Sequence, residues 1–528
     1  MGKIDLFFGW AARVFSGKIR PRLHTIGAFV VLLMGSGLIG IPVGSPWTVL
    51  IKFGIIAAVL GIGIWAWAKA KKNDQPPVAY LQLALFVPFA IDYHLHYAFI
   101  LLTLILFNKK LLLPWKSPLK PIYLLLIWGF ASYAVNQLVE FNPLSFPLFF
   151  MTFFLPFIFF GMFYRYGTEA IQAQLLRFFY ALVLIMILVI GLRIFFYWGG
   201  NPDVRTGGTQ GTHVAAVFLS VAFLSVLFKR DAEKKFFSRY DRREKALLVL
   251  TLPVIFLIDA KYVMIFMLLS VLIAGTADRS LAKTAKAAVW AGAVALIALW
   301  VIFTDGSLPI SDAAMRDKNF NVMNISELFM DSPKAMLVKN AIALPGNDPL
   351  VFIIGSGPGT FLSRAANSRA PVDLGKRSVS YGRQIVRSNS KLPGFLPPFE
   401  SRIKKKYGRD YQNLAAGLGS LHYWGSSLLN VLFETGIVGL LLFLGFFANL
   451  LIRAVAAGKA RAKNGLGALI TALVVFLFLM ALNQLWYEQP VFQIAAYSVL
   501  GLIAKLALAP DQKTAGETAA RAGTGASG

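Results

Sequence analysis

Apolar stretches of about 15–20 residues, the length of a membrane-spanning helix, recur along almost the whole chain. Hydrophobic residues make up 57% of the 528 residues, and charged residues make up only 15%. The pattern predicts an all-α, polytopic transmembrane helical bundle with about 12–14 spans. The candidate spans lie at residues 24–42, 47–68, 78–91, 94–108, 121–139, 146–164, 176–198, 212–228, 246–258, 261–275, 287–304, 422–452, 465–483 and 490–508.

Lysine and arginine predict how these spans are oriented. When the N-terminus is placed in the cytoplasm, basic runs fall in the cytoplasmic connections, at residues 69–72, 109–110, 229–245, 279–286 and 453–463. The short external connections contain no Lys or Arg at residues 43–46, 92–93, 140–145 and 484–489. Cytoplasmic loops of membrane proteins are enriched in these residues. We therefore predict that both termini are cytoplasmic.

Five regions follow from this assignment. Residues 1–23 are predicted to form an amphipathic basic helix on the inner membrane surface. Residues 24–304 form a membrane bundle of about eleven spans, and residues 422–508 add three spans. Between them, residues 305–421 form one large external (periplasmic) loop. The tail at 509–528 is rich in Ala, Gly and Thr without an apolar pattern, which predicts disorder.

The external loop is strongly basic. Sixteen Lys and Arg lie between Arg316 and Arg409, against the usual bias of these residues toward the cytoplasm. An anionic ligand at the outer surface would explain them, whereas a solvated face is the simpler alternative. The net charge of +27 lies largely beside spans, where it meets anionic lipid, so nucleic-acid binding is not expected. Candidate phosphate contacts in the loop are Arg364, Arg377, Arg383 and Arg387.

Polar side chains follow one another where the external loop re-enters the membrane. Tyr423, Ser427, Asn430 and Glu434 are spaced by four, three and four residues, so they share one helix face. A carboxylate inside an apolar helix is costly unless it faces a polar cavity. His422, at the membrane boundary, has the chemistry to take a proton from a hydroxyl near neutral pH. Alternatively, Glu434 bonds to another helix and His422 is an interfacial histidine.

Three other features are candidates for binding an anion. Arg205 precedes a Gly-Thr-rich turn, and its planar fork suits phosphate oxygens, although a lipid headgroup contact is an alternative. Lys261, between two short spans, either faces an anionic ligand or snorkels outward. The turn Gly355–Phe361 has the glycines of a phosphate-binding loop but not its spacing, which favours a structural turn.

Metal and thiol chemistry are not expected. The chain has no cysteine, which excludes disulfides and thiolate sites. It has no external Asp-x-Asp pair and no His/Glu cluster at zinc spacing. We therefore predict neither a metal site nor a cofactor.

Three segments in order carry a resemblance to a known family: Arg205-Thr-Gly-Gly-Thr before a span, the turn Gly355–Phe361, and Glu434-Thr-Gly-Ile-Val-Gly ahead of an apolar run. Together they resemble the O-antigen polymerase and O-antigen ligase superfamily of bacterial membrane glycosyltransferases (Wzy-type), with a GT-C-like fold. The resemblance covers about residues 176–483. Where the ligases carry a histidine, this chain has Gly425-Ser426, and His422 lies one turn earlier. Lys261 and Lys334 stand where the family often has arginine.

The resemblance implies a metal-independent transfer at the outer face of the cytoplasmic membrane. The donor is an oligosaccharide on undecaprenyl pyrophosphate; cationic residues hold the pyrophosphate, and a base activates an acceptor hydroxyl. Polymerisation of repeat units is the preferred prediction, with a flippase and a chain-length regulator as possible partners. A ligase that uses lipid A-core as acceptor is the first alternative. A lipid-linked oligosaccharide transporter and a structural scaffold are more distant ones.

Overall fold

The computed structural model describes residues 46–89, 93–107, 117–138, 145–196, 212–228, 240–258, 260–277, 341–342, 344–346, 349–358, 426–460, 466–483 and 490–508. These residues are almost entirely helical, and none of them forms a β-strand. The all-α prediction is therefore confirmed for this part of the chain. The predicted helix at 1–23, the spans at 24–42 and 287–304, most of the loop 305–421 and the tail at 509–528 lie outside the described residues.

The helices match most of the apolar stretches. They are α1 (Pro46–Lys72), α2 (Val78–Phe86), α3 (Tyr93–Phe107), α4 (Lys120–Gln137), α5 (Ser145–Phe149), α6 (Phe157–Tyr166), α7 (Glu169–Phe196), α8 (Thr212–Leu227), α9 (Arg242–Leu257), α10 (Lys261–Ala277), α11 (Pro349–Ile354), α12 (Ser427–Ala460), α13 (Leu466–Asn483) and α14 (Pro490–Leu508). Two ends differ clearly from the predicted spans. α7 begins at Glu169 rather than at 176, and α12 continues to Ala460 rather than to 452, because both helices extend through polar residues beyond their apolar runs.

Three helical stretches within the described ranges are long and apolar enough to cross a membrane: Phe53–Lys72, Glu169–Ile194 and Ser427–Ala456. Shorter apolar helices of 10–17 residues lie at Val78–Phe89, Leu95–Phe107, Phe150–Tyr166, Val214–Leu227, Val263–Gly275, Gly467–Leu482 and Phe492–Lys505. A span of a typical bilayer needs about 20 residues. Membrane association is thus supported, whereas the number of spans stays a prediction.

The predicted span at 146–164 is not one regular helix. A π-helix at Phe150–Phe154 separates α5 from α6, and Leu155 N–H donates to the Phe150 carbonyl at 2.9 Å. Residue 156 is a proline, which has no N–H to offer the Thr152 carbonyl. The side-chain Nε2 of Gln493 in α14 donates to that carbonyl instead, at 2.9 Å. The irregular turn is therefore tied to the neighbouring helix.

Aromatic rings pack this region against α12 and α14. The rings of Phe157 and Tyr497 are stacked with centroids 4.2 Å apart, and Phe446 meets Phe157 edge-on at 5.5 Å. Phe153 and Phe443 lie 5.4 Å apart. Such ring pairs add about 0.5–1.5 kcal/mol each beyond the area that they bury. They join helices that are more than 280 residues apart in the sequence, and so they position α12 for the site described next.

Candidate functional site at the break in α12

The helix α12 is interrupted at Gly436. This residue has φ 70° and ψ −176°, a region of backbone space that only glycine occupies readily. A break leaves the carbonyls of the preceding turn, those of Phe433, Glu434 and Thr435, without the N–H groups that a continuous helix would supply. Free carbonyls in an apolar environment cost several kcal/mol each. The break can therefore persist only if other donors reach these three oxygens.

Two of the three carbonyls are satisfied mainly by the turn that follows α11. Ser356 donates to the Phe433 carbonyl twice, from its N–H at 2.8 Å and from its hydroxyl at 3.0 Å. Gly357 N–H donates to the Glu434 carbonyl at 3.1 Å, and the Ser132 hydroxyl reaches the same oxygen at 3.4 Å. The backbone donors of the turn are thus used to hold α12. These bonds give the turn a structural role, which is the alternative that the sequence favoured over phosphate binding.

The helix α4 supplies the remaining contacts. The indole N–H of Trp128 donates to the Thr435 carbonyl at 2.7 Å. The Asn136 side chain donates to the Gly355 carbonyl at 3.2 Å, which ties the turn itself to α4. With Ser132, these donors are spaced four residues apart and lie on one face of α4. Three segments that are distant in sequence therefore meet at the break.

Two glycines make this contact possible. Gly355 has φ 88°, and a Cβ at this position would overlap with the Glu434 carbonyl. A Cβ on Gly436 would overlap with the carbonyl of Ile353. The backbones of the turn and of α12 thus touch directly, with no room for a side chain between them. Both glycines belong to the motifs identified in the sequence, and here they form one structural unit.

The polar face predicted for α12 is buried inside the protein. Ser427 and Glu434 have no exposed surface, and Asn430 is 2% exposed. At the start of the helix, the Ser426 hydroxyl donates to the Ala481 carbonyl at 3.1 Å. Glu434 lies two residues before the break, in the last turn of the first half of α12, where the helix dipole disfavours a negative charge. The site therefore places a buried glutamate beside the interrupted backbone of α12.

The described residues include three of the candidate site residues. Ser427 and Glu434 both lie on α12 before its break, and Lys261 is the first residue of α10, although its side chain is outside the described part. The other candidates lie outside the described residues: His422, Tyr423, Arg205, Lys334, Arg364, Arg377, Arg383 and Arg387. Their roles remain predictions. The donors on α4 were missed, although polar residues at a spacing of four in an apolar span were a visible signal.

An apolar groove lies next to this site. It is lined by Leu126, Ile127, Phe130, Phe146 and Phe150, and it has a volume of about 410 Å³. Gly129 belongs to α4, and a Cβ at this position would lie 3.9 Å from the Phe146 ring and 3.8 Å from Pro358, the last described residue of the turn. The groove is therefore close to the turn that holds the break. Within the described ranges, no group of three His, Asp or Glu residues is arranged to hold a metal ion.

No protein-family model matches this chain, and no curated protein matches it. The chemistry of the site therefore rests on its own residues.

Proposed function

We propose that this chain is a membrane glycosyltransferase that polymerises undecaprenyl-pyrophosphate-linked oligosaccharide repeat units into a surface polysaccharide. One observation carries the proposal. Two of the three segments that resemble the polymerase and ligase superfamily, the turn at Gly355 and the motif from Glu434 to Gly439, are in direct backbone contact. A functional site would explain why these separate motifs converge on the backbone around one buried glutamate.

The proposed reaction needs a base, an electrophilic sugar and a stabilised leaving group. The acceptor hydroxyl attacks the anomeric carbon, the bond from that carbon to the phosphate oxygen breaks, and undecaprenyl pyrophosphate leaves with the electron pair. His422 takes the hydroxyl proton, and Glu434 orients the reacting groups or shares the base role. Tyr423 and Ser427 lie on the same predicted face and are the remaining candidates for contacting the sugar, although Ser427 has no exposed surface in the described structure.

Cationic residues stabilise the charge that develops on the pyrophosphate. Arg205 is the first candidate, because it precedes a Gly-Thr-rich segment in a connection that is predicted to be external. The others are Lys261, Lys334, Arg364, Arg377, Arg383 and Arg387. No metal ion or cofactor is required by this scheme.

The apolar groove on α4 supports the lipid part of the proposal. Its lining contains three phenylalanines, and Phe130 and Ile127 are largely exposed, at 56% and 60%. An isoprenoid chain is a chemically suitable occupant because it offers only apolar surface. The protein is proposed to be a multi-pass protein of the bacterial cytoplasmic membrane, with both termini inside and the loop 305–421 outside. A flippase that delivers the donor and a chain-length regulator are its proposed partners.

The test is a gel assay with purified full-length protein and the lipid-linked oligosaccharide of its own host. We expect a ladder of products from the donor alone. Glu434→Gln, His422→Ala and Arg205→Ala should each slow the ladder, by roughly 100-fold or more for a proton-transfer residue. Glu169→Gln is the matched control, because it removes an exposed carboxylate at the start of α7 and should leave the rate unchanged.

The other outcomes separate the alternatives. A single shifted band that requires lipid A-core would identify a ligase and overturn the polymerase proposal. Wild-type rates in Glu434→Gln would show that the carboxylate only supports the structure of the break. No product under any condition, with correctly folded protein, would favour a transporter or a scaffold.

A further inference from the structure

The helix α1 is covered by described residues on one side only. That side packs mainly against α2 and α3, and a Cβ on Gly63 would lie 3.2 Å from a methyl carbon of Leu102 in α3. On the opposite side, Phe53 is 66% exposed and Ile62 is 44% exposed. In the apolar stretch of α1 only 17% of the residues are buried, against 50% in that of α7 and 39% in that of α12. We call this side the open face and define it by Phe53, Gly54, Ala57, Ala58, Gly61 and Ile62.

Small residues lie along the middle of the open face. Gly54 and Gly61 are seven residues apart, which is about two helical turns, so they lie above one another on α1. A Cβ at either position would have no described atom within 4 Å. Ala57 and Ala58 lie between them and are exposed. Small residues let two membrane helices approach closely, whereas lipid chains pack equally well against large apolar side chains. The open face therefore favours a helix over lipid as its occupant.

The chain directly before α1 supplies a helix of suitable length. Residues 24–42 are a predicted span that lies outside the described residues, and only residues 43–45 separate it from α1. Short connections of this kind join antiparallel neighbours in helical bundles. Three residues extend over roughly 10 Å, which is about the distance between the axes of two packed helices. Because α2 and α3 already occupy the other side of α1, the open face is the side that remains for this segment.

The small residues of the two segments are also in register. Ala28 and Gly35 are seven residues apart, as Gly54 and Gly61 are. In an antiparallel hairpin centred on residue 44, residues that are equally far from the centre lie opposite each other. Gly35 and Gly54 are nine and ten residues from it, and Ala28 and Gly61 are sixteen and seventeen residues from it. Both pairs therefore bring residues with little or no side chain to the same level.

We propose that residues 24–42 pack antiparallel against the open face of α1, with Gly35 opposite Gly54 and Ala28 opposite Gly61. The two helices form a hairpin at the edge of the bundle, and the small residues form the seam between them. The occupant of the open face is thus a segment of the same chain. The proposal is independent of glycosyltransfer, because none of these residues belongs to the candidate site.

Disulfide formation tests this arrangement without background, because the chain has no cysteine. A disulfide needs Cα atoms about 4.4–6.8 Å apart, a separation that two helices reach only at a close contact. In full-length protein in membranes under mild oxidation, we expect intramolecular disulfides from Gly35→Cys with Gly54→Cys and from Ala28→Cys with Gly61→Cys. The control is Gly35→Cys with Ile56→Cys, because Ile56 packs against the core on the other side of α1. This pair should stay reduced and react with a maleimide after denaturation.

The other outcomes identify a different occupant. A disulfide-linked dimer from Gly61→Cys alone would place a second copy of the chain on the open face. Complete maleimide labelling of both test pairs would leave lipid as the occupant, and equal cross-linking in the control pair would remove the evidence for the register. Each of these results would overturn the proposal.

A single substitution tests the seam without any cross-link. Gly61→Leu inserts a large side chain between the two helices and should lower the melting temperature of the protein in detergent. Gly191→Leu is the matched control, because Gly191 is an exposed glycine in α7 whose Cβ would also have no described atom within 4 Å. Leucine favours a helix more than glycine does, so this variant should melt no earlier than the wild type. If Gly61→Leu behaves in the same way, no helix covers the open face and the proposal is wrong.

Discussion

Replacing Gly436 by alanine tests whether the break in α12 exists and what it contributes to stability. An alanine that keeps the break adopts a backbone conformation costing about 1–3 kcal/mol, and its Cβ overlaps with the carbonyl of Ile353. If the helix straightens instead, the strain disappears, but the N–H groups of Ser356 and Gly357 lose their acceptors. Each unsatisfied buried donor costs about 1–3 kcal/mol. By either route we expect the free energy of unfolding to fall by roughly 2–5 kcal/mol.

The assay is equilibrium unfolding in mixed micelles with increasing SDS, followed by far-UV circular dichroism. Gly445→Ala is the matched control on the same helix. A Cβ at this position meets only the Pro121 ring, at 3.7 Å, which is an ordinary contact. Alanine is also a better helix former than glycine by about 1 kcal/mol, so this variant should be at least as stable as the wild type. If Gly436→Ala behaves in the same way, α12 is continuous at 436 and the reasoning fails.

Two further substitutions test the side chains that satisfy irregular backbone. Trp128→Phe removes the donor to the Thr435 carbonyl and should lower the free energy of unfolding by about 1–3 kcal/mol. The control Trp65→Phe, on an exposed surface, should change the free energy of unfolding by less than about 0.5 kcal/mol. Equal effects of the two substitutions would contradict the proposed role of the indole N–H. Gln493→Leu gives a side chain of similar size but removes the donor to the Thr152 carbonyl. The amide hydrogens of the π-helix should then exchange with solvent faster than in the wild type. Unchanged exchange would show that Gln493 does not stabilise the π-helix.

The apolar runs predicted helix positions well. The spans predicted at 212–228, 261–275 and 490–508 agree with α8, α10 and α14 to within two residues at each end. Burial in lipid or protein requires a continuous run of apolar side chains, and that requirement is local in sequence. The ends of α7 and α12 were less predictable, because a helix can continue through polar residues after its apolar run ends. Hydropathy alone therefore does not indicate where such a helix begins or ends.

The contacts at the break were not predictable in the same way. Gly355 and Gly436 stood out as motif residues, but nothing in either local pattern pairs them. The donors Trp128 and Ser132 lie some 300 residues before the carbonyls that they bind. Local periodicity indicates which face of a helix is polar, whereas the partner of that face depends on how distant helices pack. The sequence therefore indicated that Glu434 required partners without identifying the segments around it.

The break in α12 and the turn after α11 depend on each other. An apolar helix cannot leave three carbonyls without donors, and a turn with free N–H groups cannot be buried between helices without acceptors. Each segment supplies what the other lacks, so loss of either should release both. The buried Glu434 lies within this mutual contact, and its position is therefore set partly by residues of the segment 305–421. A substitution at Ser356 or Gly357 would move the carboxylate without touching it, which couples the conformation of that segment to the candidate site.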